Sequence, residues 1–274
     1  MPVRRGGASR RRSTRRRVRA VVGVAVAVGP WEVLALADAP GPQFLASVPA
    51  VARALGDSAG ALGRALLGTL GVWATAVGIS FVGAAVLGVV VAAVPLLDGL
   101  SEWIVRSTRS IPALALIPIA ILVLGLTQTM EAVLVVAAAF WPIFVNVVYG
   151  VRRYRVEHRE MAAALKLPRR RFYGRIVLPA TAPMASSGLR AAIGLAMAAT
   201  VAVELVVGYG GLGGLVLNAE QSSNTPLIYA GVLVGGAAGW LLNLLFVGGQ
   251  RRLLPWAYRS GPQGSGLPAA GSGR

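Results

Sequence analysis

Residues 65–97 run 33 positions without one charged side chain, and no other stretch limits the possible folds so sharply. A hydrocarbon core about 30 Å thick is crossed by roughly 20 helical residues, so this run suits a tilted span or one that extends past the bilayer. Further apolar stretches lie at 18–37, 109–126, 131–150, 185–207 and 227–249. With 55% hydrophobic and only 14% charged residues among 274, the chain is too apolar for an ordinary soluble domain. The pattern predicts an all-α integral membrane protein with about six transmembrane helices.

The net charge of +17 is not spread over a surface, as a nucleic-acid binder would need, but gathered between the apolar runs. Nine Arg fall in residues 1–19, a Gly- and Ser-containing segment that cannot bury a core; residues 1–17 are expected to form a disordered basic tail. With the N-terminus inside, cytoplasmic segments hold 24 of the 27 basic residues, including nine between Arg152 and Arg175. Arg53 and Arg64 fall outside, and Arg190 lies within a span, where it can snorkel. This bias predicts cytoplasmic N- and C-termini, the latter within a tail at 251–274, in a multi-pass membrane protein. Residues 18–37 read as a retained first transmembrane helix, too long for a signal core. The alternative is a cleaved signal ending near Ala35-Leu36-Ala37.

Several chemistries drop out. The chain has no Cys and a single His, His158, so thiolate and His-rich metal sites are not expected. Lys166, the lone Lys, follows Leu165, so a G-x-x-x-x-G-K-[ST] phosphate loop is missing and any ATP must be bound by another polypeptide. Gly208-Tyr209-Gly210-Gly211-Leu212-Gly213 spells G-x-G-x-x-G without the strand-turn-helix setting of a dinucleotide site. No Ser-His-Asp or paired-carboxylate arrangement is apparent, so the chain is not expected to be an enzyme or to carry a cofactor.

The spans contain a few groups that could line or gate a pathway. Pro112 and Pro118 interrupt 109–126, and such breaks are tolerated where freed carbonyls face a cavity. Asn146 suits an interhelical hydrogen bond or a solute contact. Glu204, an ionisable group in a span, is a functional candidate by default, with a structural or gating role favoured; Thr200 lies one turn before it. Gly68, Gly71, Gly78, Gly83 and Gly88 fit close helix approach or simple compositional bias equally.

Between the spans at 131–150 and 185–207 lies a polar island, 151–182. Glu157–Leu165 reads as a short amphipathic helix with Met161, Ala162 and Leu165 able to share a face; Pro168 ends it, and a second segment restarts at Arg169 and stops at Pro179. Such a helix could slot into a partner's groove or lie on lipid.

The segment EMAAALKLPRRRFYGRIVLPATAP resembles the E-A-A motif of binding-protein-dependent ABC importer permeases, through Glu160, Ala162, Leu165, Ile176, Leu178 and Pro179. With RSIPALALIPIAILVLGL, FWPIFVNVVYG, SSGLRAAIGLAMAATVAVELV and GYGGLGGLV, residues of roughly 65–256 are similar to the nitrate, sulfonate and taurine branch of that family. The resemblance implies a type I ABC importer permease-like core, 65–250, that moves a small solute by alternating access. It further implies separate ABC ATPase subunits that bind the ATP, an extracytoplasmic solute-binding protein, and a homodimer of permeases in the lipid of a bacterial inner membrane. Glu160, Met161, Ala162, Ala163, Leu165, Lys166, Leu167 and Pro168 would form the ATPase-coupling helix. Lys166 stands where the motif has Gly, so an altered turn or weaker coupling is expected there. An ion-coupled carrier or passive channel is the alternative, though the mid-span relay a carrier would use is not visible.

Overall fold

A computed structural model describes residues 29–37, 44–97 and 113–256, with Gly23, Val26 and Gly99 besides. The basic tail 1–17, most of the first predicted span, the connector 98–109 apart from Gly99, Pro112 and the C-terminal residues after Trp256 lie outside the described residues. Among the described residues every regular element is helical.

Among the described residues, four helices have the length and apolarity to cross a membrane: Ala59–Ala93, Gln128–Glu157, the continuous helical stretch Arg169–Val207, and Thr225–Leu253. We label the elements α1 (Val48–Asp57), α2 (Ala59–Ala93), α3 (Ile117–Leu124), α4 (Gln128–Glu157), α5 (Arg159–Ala164), α6 (Arg169–Phe172), α7 (Leu178–Val207), α8 (Gly211–Gln221) and α9 (Thr225–Leu253). Within its described residues, the stretch predicted to span at 109–126 contributes a short apolar helix, Leu114–Leu124. Pro118 sits in the first turn of α3, where its missing N–H and fixed φ cost nothing, and Gly125, at φ 69°, ends it.

The core is the three-helix packing of α2, α4 and α7. Small residues set its spacing: a Cβ on Gly188 would lie 2.7 Å from the Pro142 carbonyl oxygen and 2.8 Å from Asn146 Cβ, so α7 meets α4 backbone to backbone. Gly88 has the same role, with an added Cβ 2.9 Å from Val147 Cγ1, whereas one on Gly71 or Gly78 would meet no atom within 4 Å. Close packing therefore accounts for some of the span's glycines and not others. Ala76, Ala84, Ala139, Ile143, Val147, Ala192 and Ala196 fill the contact.

The outer faces remain apolar. Ile79, Val82, Val86 and Val90 on α2, and Val232, Leu233, Trp240, Leu241 and Leu245 on α9, are exposed. Rows of this kind are at home in lipid or against another membrane subunit.

Near one end of the bundle, residues 29–36 are helical and tie to α1 and α9. The Trp31 indole N–H donates to Ala46 O (2.9 Å), its ring packs edge-on to Tyr229, and Glu32 accepts from the Val48 N–H (2.7 Å), capping α1.

Candidate functional site: a polar hairpin and a capped carboxylate

The polar island is more helical than a loop. Its first seven residues continue α4 to Glu157, and its last turns from Arg169 run without a break into α7. Pro179 does not stop the chain. A π-helical turn, Tyr173–Val177, precedes it, and the Leu178 N–H donates five residues back to Tyr173 O. Widening one turn accommodates a proline ring that would collide with an α-helical carbonyl four residues back.

Between these helices, α5 carries Glu160, Met161, Ala162 and Ala163. None of its residues is buried. Ala162, the half-buried member, packs against the core, while Met161 (43%) and Leu165 (63%) stand exposed on the outer side. Glu160, Ala163, Lys166 and Pro168 are also exposed, and Leu167 is half-buried.

The turn after α5 is closed by two bonds: Lys166 N–H donates to Ala163 O (3.1 Å) and Leu167 N–H to Ala162 O (3.0 Å). That pairing is a Schellman cap, which needs its third residue in the left-handed region. Lys166 occupies it at φ 48°, so the turn expected of a glycine is formed by a lysine.

Two side chains fix this hairpin to the bundle. Arg155 NH1 donates to Ala92 O (2.8 Å) and Tyr173 OH to Ala93 O (3.4 Å). Both acceptors lie in the last turn of α2, where carbonyls lack helical donors and the helix dipole is negative, so a cation there is favourable. Sequence reasoning counted Arg155 only as topology and passed over Tyr173; distance in the sequence, 63 and 80 residues, hid both contacts.

At the opposite end of α7, Glu204 is 2% exposed, and its carboxylate is enclosed by three other elements. Its Oε2 accepts from Thr69 Oγ1 on α2 (3.0 Å) and from the Gly213 N–H in the first turn of α8 (2.9 Å), while the Leu212 N–H donates to Thr69 Oγ1 (2.9 Å). Glu131, in the first turn of α4, places its carboxyl within hydrogen-bonding reach of Glu204. The carboxylate thus caps α8, supplying acceptors to otherwise orphan N–H groups.

The glycine loop exists to permit this cap. Gly208 takes a left-handed φ of 68° to end α7, and Gly211, at φ 59°, lies so close that a Cβ there would collide with the Glu204 carboxylate. G-x-G-x-x-G here is a helix-to-helix turn around a buried acid. Beside it opens a cleft of about 400 Å³, lined by Ala61, Ala65, Gly211, Asn218 and Ser222 among others.

The remaining candidates are separate from both sites. Thr200 is fully buried, its hydroxyl donating to Ala196 O in its own helix. Asn146 likewise donates within α4, to Pro142 O (2.8 Å). Pro118 is exposed on α3. The structure therefore brings Glu204 together with Thr69 and Glu131, neither of which the sequence pointed out, and leaves Asn146 and Thr200 bonded to their own helices.

Long apolar helices packed through small residues, with a polar helical hairpin at one end and a capped acid at the other, mark an integral membrane protein. Residues 84–257 match the family described as the binding-protein-dependent transport system inner membrane component, and the chain belongs to that family. Its members are permease subunits of ATP-driven importers rather than enzymes, and the chain is accordingly a multi-pass protein of the inner membrane. It is 30% identical over 241 residues to the nitrate import permease protein NrtB of Synechocystis, covering 82% of this chain and 85% of that one. It is 29% identical to the taurine transport system permease protein TauC of Escherichia coli, over 62% of each chain. It is also 29% identical to the aliphatic sulfonates transport permease protein SsuC of Bacillus subtilis, a putative assignment, over 54% of each.

Proposed function

We propose that this chain is the permease of an importer for a small oxyanion-bearing solute, of the kind named for its relatives: nitrate, bicarbonate, a sulfonate or taurine. Two copies form the pathway. A solute-binding protein delivers from the side of the Gly208–Gly213 loop, and two ATPase subunits, which bind the ATP, dock on the hairpin. Both termini then lie in the cytoplasm, on the side of the Arg-rich hairpin.

The observation that carries this reading is α5 itself. A six-residue helix seated on the core by Ala162 and closed by a Schellman cap presents Met161, Leu165 and the Glu160 carboxylate outward, as a helix that enters a partner's groove must. Anchored through Arg155 and Tyr173 to α2 and through the π turn to α7, it transmits ATPase closure to two core helices at once. Alternating access then follows as rocking of those helices.

Co-purification with the ATPase from detergent-solubilised membranes, combined with ATP-dependent uptake in proteoliposomes, tests the assignment. Wild-type chain should retain the ATPase, and Glu160→Lys should lower uptake at least about tenfold, the equivalent of roughly 1.4 kcal/mol of coupling. Full uptake by Glu160→Lys, or a chain that transports without ATP, rejects it.

A further inference from the structure

Arg190 stands inside the long helix that ends at Val207, 14 positions before Glu204, and it is exposed. A guanidinium at such depth is costly against lipid and normally escapes to the nearest interface or faces water. Here the escape is not taken. Met197 lies against Gly239, and Gln250 bonds Ser186, so α7 and α9 run antiparallel with Phe246 level with Arg190. The Arg190 Nε donates instead to Asn243 Oδ1 (3.1 Å), roughly one helical turn farther from the basic ends of both helices.

The surrounding face differs from the lipid-like rows of α9. Ser187, Ala191, Gly194 and Ala198 are exposed along the same side of α7, leaving room beside the guanidinium. Among the described residues, no carboxylate lies within ion-pair distance of it. Asn243 holds the Nε edge, and among the described residues the two terminal amino groups have no protein partner, so they keep the donors that pair bidentately with a planar oxyanion.

We propose that Arg190, positioned by Asn243, is an anion-binding site on the solute path through the membrane, taking small oxyanions such as nitrate, bicarbonate or a sulfonate. The inference rests on the importer reading above and deepens it. It assigns a specificity element to the permease itself. Asn243 acts as the positioning residue, since it touches the guanidinium rather than the solute.

The cysteine-free sequence makes the site directly testable. In otherwise native chain, Ser187→Cys, one turn from Arg190 on the same side and leaving the guanidinium in place, is treated with a water-soluble, membrane-impermeant methanethiosulfonate in proteoliposomes open to reagent on both sides. The introduced thiol should react, and millimolar nitrate, bicarbonate or taurine should slow the reaction, whereas choline should not. A thiol that stays unreactive, as on a lipid-facing surface, overturns the proposal, and so does reaction indifferent to every anion.

In the assembled transporter, Arg190→Gln should lower oxyanion uptake about tenfold while binding-protein-stimulated ATP hydrolysis stays within about twofold, and Arg190→Lys should fall between. Asn243→Ala should follow Arg190→Gln in direction. Uptake and hydrolysis falling together would mark Arg190 as merely structural and overturn the proposal, as would undiminished uptake by Arg190→Gln. Labelling requires no ATPase, so it decides the anion site even if ATP-driven uptake, and with it the importer reading, fails.

Discussion

Lys166 occupies a backbone position that favours glycine. Its φ of 48° and the two bonds of the Schellman cap place it where glycine is favoured, because a Cβ in the left-handed region crowds the following carbonyl. Lys166→Gly should therefore stabilise the hairpin by about 1 kcal/mol, partly offset by the greater freedom of glycine in the unfolded chain. The measurement is hydrogen exchange of the Leu167 amide, which should become more protected; faster exchange would mean the cap is not strained by Lys. The sequence identified this position and its conformational demand correctly, but propensity alone could not show that the cap's two hydrogen bonds would hold a lysine there. Glu204 was legible as an unusual acid within a span, yet its partners were not, since Thr69 lies 135 residues away and carries no motif. Gly211 was visible as part of a nucleotide-like pattern and of the family-like GYGGLGGLV run, and its place here depends on a contact with Glu204 that no local rule predicts.

Among elements, hydrophobic runs reported existence better than extent. The run at 131–150 became α4, which continues seven residues into the polar island, because Arg152, Arg153 and Tyr154 are as compatible with helix as the apolar residues before them. Glu157 adds a contact to Arg153 (3.8 Å), worth little at the surface. The break expected at Pro179 became a π turn, since proline forbids one hydrogen bond but not the helix when a neighbouring turn can widen. The more consequential element is the end of α2. Its carbonyls at Ala92 and Ala93 are held by Arg155 and Tyr173, so the hairpin cannot shift without freeing them. Arg155→Ala should destabilise this junction by roughly 1.5–3 kcal/mol, the worth of a charged hydrogen bond. With the ATPase docked on α5 as proposed, proteoliposomes carrying it should retain ATP hydrolysis better than uptake, because α5 would still be engaged but would no longer move α2. Equal loss of both activities would place Arg155 in folding alone.

For the whole molecule, charge sets orientation and packing sets shape, and the two are independent. Ala162, Arg155 and Tyr173 bind the hairpin to one end of the bundle whichever way it sits in the membrane. The potential that decides orientation is the excess of Arg and Lys at that end: Arg152 through Arg175 on the hairpin and Arg251 and Arg252 at the end of α9. The opposite end, around Glu204, the glycine loop and the turn at Ser222–Asn224, carries Glu220 and few basic groups. Exposed positions at the two ends, Ser223 and Arg170, then report the orientation without disturbing the core. In intact spheroplasts, an impermeant maleimide should label Ser223→Cys and leave Arg170→Cys unlabelled until the membrane is permeabilised. The reverse pattern would invert the orientation and put the hairpin on the side where no ATP is available, which α5 as an ATPase-docking helix could not survive.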